Sequence, residues 1–159
     1  MSDDKALREH LLFQLRGGHA HASLEVVTKD FPADCIGARV PNVPYSAWQI
    51  LEHMRISQWD ILKFSIDASH VSPKWPDGYW PKDASPRTKD DWNNCIASFQ
   101  ADLSAMQNIV ADPSTDLYAA IPHGDGQTIL REALVLVDHN SYHLGQLALL
   151  RRLLGAWKD

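Results

Sequence analysis

"TILREALVLVDHNSYHLGQLALLRRLLG", residues 128–155, reads as one amphipathic helix whose apolar seam is interrupted by two imidazoles. Thr128 is a helix-capping residue at its start and Gly155 a residue suited to ending it. The seam runs through Ala133, Leu136, Val137, Leu147, Leu150 and Leu154, and both His139 and His143 fall inside the same inward arc. Helical residues four apart lie one turn above each other, so the two rings point side by side into the core. A buried imidazole must satisfy two ring nitrogens, and two protonated neighbours would repel. A divalent cation accepts a lone pair from each neutral ring and resolves both difficulties. The bare H-x-x-x-H spacing also fits hydrogen-bonded or surface histidines, and at this point both readings stand.

A third ligand is needed, and a second helix offers one. In "SAWQILEHMRISQWDIL", residues 46–62, His53 shares a face with Gln49, Ile50, Ser57 and Asp60, while Trp48, Ile50, Leu51 and Ile61 mark a core-forming helix. Ser46 and Gln49 form the S-x-x-Q version of a capping box, which starts this helix at Ser46; it is expected to run to about Ala68. Three histidines from two helices leave coordination positions open, the pattern of catalytic rather than structural metal sites. There is no HExxH and no Glu-x-x-His pair of the di-iron carboxylate kind. His19 and His21 diverge on a helix, and with His10, His70 and His123 they are read as solvated or singly hydrogen-bonded. Asp60, Glu52 and Asp138 are assigned no role.

Two further helices complete the set. One runs from Asp3 to Asp30 along Leu7, Leu11, Leu15, Leu24 and Val27, with Gly17-Gly18 weakening its middle and leaving room for a kink or break. The other begins at Thr88, paired with Asp91, and stops at Asp112-Pro113. Between them lie "PADCIGARVPNVP" (32–44), "SHVSPKWPDGYWPKDASP" (69–86) and "DPSTDLYAAIPHGDGQ" (112–127), all rich in turn residues. The second connector, with four prolines and three aromatics in eighteen residues, is expected to cover one end of the core. No strand-like alternation is present, so the chain is read as one all-α domain, residues 1–159: four helices with long connectors, hence a bundle.

A net charge of −5 and the lack of a basic stripe argue against a nucleic-acid partner. No apolar run is long enough to span a membrane, and the first residues lack the layout of a secretory signal. Cys35 and Cys95 have no paired spacing and are read as reduced, packed thiols. A cytoplasmic location is expected.

The combination of "WQILEH" (48–53) with "DHNSYHLGQL" (138–147) and the closing "LRRLLG" (150–155) resembles the DinB superfamily, including the YfiT-like metal-dependent hydrolases. The resemblance covers nearly the whole chain. It implies a four-helix bundle of up-down-down-up order and a divalent metal, nickel or zinc, on His53, His139 and His143. It also implies thiol-transferase or hydrolase-like chemistry on a small electrophile, with a low-molecular-weight thiol as a possible co-substrate, and a homodimer. Metal coordination lowers the pKa of a bound thiol or water, which makes either chemistry intelligible.

Gln146, one turn past His143, either hydrogen-bonds a group at the metal or bridges helices. Gly145 is expected to let a helix or ligand approach closely. Trp75, Tyr79 and Trp80 are candidates for the rim of a substrate pocket. Trp48, Trp59 and Trp92 are read as core or dimer contacts. The alternatives to an enzyme are a non-catalytic bundle that binds metal or a small molecule in a stress-related role, and a helical interaction module with unmetallated histidines.

Overall fold

The computed structural model describes residues 3–157. It is all-helical: α1 (Asp3–Arg16), α2 (Leu24–Thr28), α3 (Ala33–Ile36), α4 (Ala47–Ile66), α5 (Asp91–Ala111) and α6 (Ile129–Leu153). A single isolated bridge, Ala120 to Thr128, is the only β pairing among the described residues. No helix among them is long and apolar enough to cross a membrane.

The expected first helix is two helices. Gly17 and Gly18 adopt φ of +65° and +76°, which side-chain-bearing residues rarely take, so α1 ends at Arg16 and the chain re-enters helix only at Leu24. The connector after Phe31 carries the short α3, which its prolines concealed. The other helix ends follow their capping chemistry. Ser46 accepts from the Gln49 amide while the Gln49 side chain accepts from the Ser46 amide, a complete capping box; α4 then stops at Ile66. Asp91 accepts from the Thr88 amide and hydroxyl, although regular helix starts only at Asp91. Thr128 caps α6, and at its other end Gly155 (φ +67°) and Ala156 donate back to Arg152 and Arg151, the Schellman pattern.

The core is two apolar clusters separated by a polar belt. One gathers Ala47–Met54 side chains of α4 with Trp92, Cys95 and Phe99 of α5 and Leu144, Leu147 and Leu150 of α6. The other joins Leu62 of α4 with Leu11, Leu15, Met106, Val110 and Ile129, Ala133 and Leu136. Between them Gln58, fully buried, donates to the Phe99 carbonyl and accepts from Asn140, crosslinking α5, α4 and α6. The three histidines of interest sit beside this belt.

Two buried arginines tie ends of the chain together. Arg8 donates to the carbonyls of Val110, Asp112 and Thr115 at the end of α5. Arg151 donates to those of Val27 and Ala156 and stacks its guanidinium on Phe31. Both satisfy carbonyls that a helix terminus leaves open. Trp92 is buried and Trp48 and Trp59 are half-buried, while Cys35 and Cys95 are free thiols, Cys95 fully packed.

Candidate metal centre

α4 and α6 bring His53, His139 and His143 together. His53 and His143 are 2% and 7% exposed, and His139 is half-buried. His53 Nε2 lies 3.1 Å from His143 Nε2 and 3.1 Å from His139 Nε2, and a ligating nitrogen from each ring falls within 4.8 Å of the others. Nitrogens held about 2.1 Å from a common ion stand about 3.0 Å apart in octahedral and about 3.4 Å apart in tetrahedral coordination. The His53 separations match that range.

The hydrogen bonds on the far side of two rings decide which nitrogen carries the proton. His53 Nδ1 donates to the Tyr79 carbonyl at 3.0 Å, and His143 Nδ1 donates to Gln146 Oε1 at 2.8 Å. In the neutral rings this leaves Nε2 of both as lone-pair acceptors, and the two acceptors face each other across 3.1 Å. A proton on His139 Nε2 satisfies only the His53–His139 edge. A cation at the point where the Nε2 atoms converge satisfies all three. Burial keeps the rings neutral, as ligation requires. It pushes His53 down to about 4 against the pull of the Tyr79 carbonyl, and His139 likewise to about 4 with help from the adjacent imidazoles. His143 is lowered too, by burial, with Gln146 opposing. His139 Nδ1 and Asn140 Oδ1 are buried without a partner.

The connector from Asp67 to Asp90 supplies the outer shell. Trp80 stacks flat on His53 at 3.8 Å between ring centroids and 7° between planes, and Tyr45 stacks on the other face of Trp80 at 3.8 Å. Its position is fixed further by the Gln49 amide, which donates to the Pro81 carbonyl, and by the Ser46 hydroxyl, which donates to that of Ala84. Trp80 lines a cavity of about 280 Å³ with Tyr45, Pro76, Asp77, Pro81 and Lys82. Tyr79 instead turns its hydroxyl onto Asp60, and Trp75 is 67% exposed beside it. A larger cavity, about 650 Å³, opens around Trp48, Glu52, Arg55 and Cys95 and shares Pro81 and Lys82 with the first.

Gln146 therefore meets His143 within its own helix rather than a neighbouring helix. Gly145 is solvent-exposed, and a Cβ there would meet nothing within 4 Å, so the close approach expected of it does not occur within the chain. Asp138 is exposed. His10 and His21 are exposed, His19 stacks on Phe13, and His123 and His70 each hold one strong hydrogen bond, to the Phe64 carbonyl and to Asp60. The residues that the sequence did not reveal are Tyr79, acting through its backbone carbonyl, and the Gln58–Asn140 belt. An irregular connector carries no periodicity from which such a contact could be read. Comparison with protein-family models, curated proteins and solved structures finds no match to this chain.

Proposed function

We propose that the chain is a metal-dependent enzyme of the DinB/YfiT-like kind, in which His53, His139 and His143 hold one divalent ion, nickel or zinc, that acts on a small electrophile. The observation that carries this reading is the pair of Nε2 lone pairs facing each other across 3.1 Å while both Nδ1 atoms donate elsewhere. A bound divalent ion supplies Lewis acidity, which lowers the pKa of a thiol or water offered to it. The chain does the rest. Tyr79 and Gln146 hold two rings in the ligating tautomer, Trp80 closes one face of His53, and the apolar clusters on either side keep bulk water from the rings.

The cluster memberships support a bundle of up-down-down-up order. The start of α4 shares a cluster with the start of α5 and the end of α6, and Arg8 of α1 reaches the end of α5. On this reading α4 and α5 run parallel, with α1 and α6 against them. Tyr142, Leu149 and Leu153 are exposed apolar side chains on the second half of α6, which supports a homodimer as the functional unit; sedimentation equilibrium tests it.

The deciding experiment is elemental analysis of untagged protein, followed by a screen of low-molecular-weight thiols and of water against model electrophiles. One nickel or zinc per chain with thiol- or water-dependent turnover is the expected result. Absence of any stoichiometric divalent metal overturns the reading, and metal without turnover reduces it to a non-catalytic metal-binding bundle.

A further inference from the structure

Asp60 lies seven residues after His53 on α4, nearly two full turns, so the two side chains share one face about 10 Å apart along the axis. Tyr79 spans that interval. Its backbone carbonyl receives His53 Nδ1 at 3.0 Å, and its hydroxyl donates to Asp60 Oδ2 at 2.6 Å. The other oxygen of the same carboxylate receives His70 Nε2 at 2.7 Å, and the side chains of His70 and Asp60 are only 7% and 13% exposed. One carboxylate thus clasps the connector at two places, residues 70 and 79. Between and around these points the backbone has no helix or strand to hold it.

We infer that Asp60 is a positioning residue of the histidine centre, which acts through Tyr79 to fix the tautomer and orientation of His53. Turn hydrogen bonds from Gly78 to Lys74 and from Tyr79 to Pro76 shape this loop, and Gln49 and Ser46 hold it from residue 81 onward. The phenol-to-carboxylate bond fastens Tyr79 itself to α4 beside His53. Trp80 follows Tyr79 directly, so the same anchor seats the indole on the His53 ring. When the carbonyl drifts, His53 is free to carry its proton on Nε2, the nitrogen that faces His139 and His143. In that form it donates where a ligand must accept. A carboxylate is suited to this task because both its oxygens accept, and two donors converge on it.

The inference rests on the proposal that the three imidazoles hold a cation, and the test separates the two. ¹⁵N NMR of the metal-free protein at neutral pH reads each histidine tautomer directly. The wild type is expected to show His53 protonated on Nδ1 alone. In Asp60→Ala and in the milder Tyr79→Phe, the His53 signals are expected to move to values averaged between tautomers, while those of His143, held by Gln146, stay in place. Zinc affinity, measured by competition with a chromophoric chelator, is expected to fall about 10-fold or more in both variants. Tyr79→Phe removes a single oxygen atom and guards against simple unfolding. An unchanged His53 tautomer in both folded variants overturns the inference. Wild-type protein that takes up no zinc, while the variants still release His53, overturns the metal reading and supports this one.

Discussion

The Nε2 atoms of His53 and His143 lie 3.1 Å apart, although the Nδ1 atom of each ring is already committed as a donor, one to the Tyr79 carbonyl and the other to Gln146. Two acceptors in that position cost free energy in the absence of a third party. Stability and ligand binding therefore pull in opposite directions at this centre, as is common at functional sites.

The size of that conflict is measurable. His139 is pushed down to about 4, mainly by burial, and its Nδ1 is buried without a partner. Replacing it with an apolar side chain of similar size removes the unsatisfied group. His139→Leu also removes the Nε2 donor that His53 accepts from, so the two effects offset and the metal-free protein is expected to stay within about 1 kcal/mol of wild type. The same variant is expected to lose stoichiometric nickel or zinc. Urea unfolding in chelator and metal analysis of one preparation check both halves. A metal-free variant destabilised well beyond that would show that the ring is a packed structural group.

Acid should weaken the metal-free protein in a defined window. His53 and His139 lie at about 4 in the folded state against an ordinary value of 6.5. The unfolded chain therefore binds more protons between those values, and stability falls as pH drops from about 6.5 towards about 4. The slope is up to about 1.4 kcal/mol per pH unit for each proton taken up. The depressed carboxylates Asp67, Asp91 and Asp112 act below that window, since their ordinary value is 3.8. Unfolding midpoints in chelator at pH 7.5, 6 and 5 test this. A flat profile contradicts it; saturating metal should raise stability throughout while the onset near 6.5, which belongs to the unfolded chain, stays in place.

Periodicity and capping made the frame legible: Ser46 with Gln49, Thr128 and Gly155 each behave as their chemistry dictates. The histidine trio was legible for the same reason, because i,i+4 spacing on an apolar seam fixes where side chains point. Two kinds of feature were not. The helix drawn through Gly17-Gly18 followed its leucines, whereas two positive-φ glycines end it at Arg16. Arg151 is buried in α6 because it donates to the Val27 carbonyl, 124 positions away, a contact that residue type alone does not encode. The Tyr79 contact with His53 depends on connector geometry, which residue types do not encode one by one.

Gly145 offers a test of whether the outer face of α6 is free. It occupies a helix interior with open space where a Cβ would stand. Gly145→Ala is expected to stabilise the monomer by about 0.5–1 kcal/mol through the lower backbone entropy of alanine in the unfolded state. Differential scanning calorimetry at low concentration reads this. A loss of stability that grows with protein concentration would instead mean that a second copy packs against this glycine, beside Tyr142 and Leu149, which are 64% and 59% exposed.

Gln146 separates the tautomer from the rest of the site. It is half-buried, and its side-chain oxygen takes the Nδ1 proton of His143 three residues away in the same helix. Removing it opens no cavity in either apolar cluster, since it belongs to neither. Gln146→Ala is therefore expected to leave unfolding midpoints of the metal-free protein within about 0.5 kcal/mol of wild type. It frees His143 to protonate on Nε2, which faces His53 at 3.1 Å. Metal affinity is then expected to drop about 10- to 100-fold, the usual cost of losing an outer-shell partner of a ligating histidine. Gln146→Glu keeps an acceptor at the same reach and should restore most of the affinity. Isothermal titration with zinc decides the matter: equal affinities in wild type and Gln146→Ala would show that the ring is oriented by packing against Tyr142 and Trp80, whose edges also meet it, and not by this hydrogen bond.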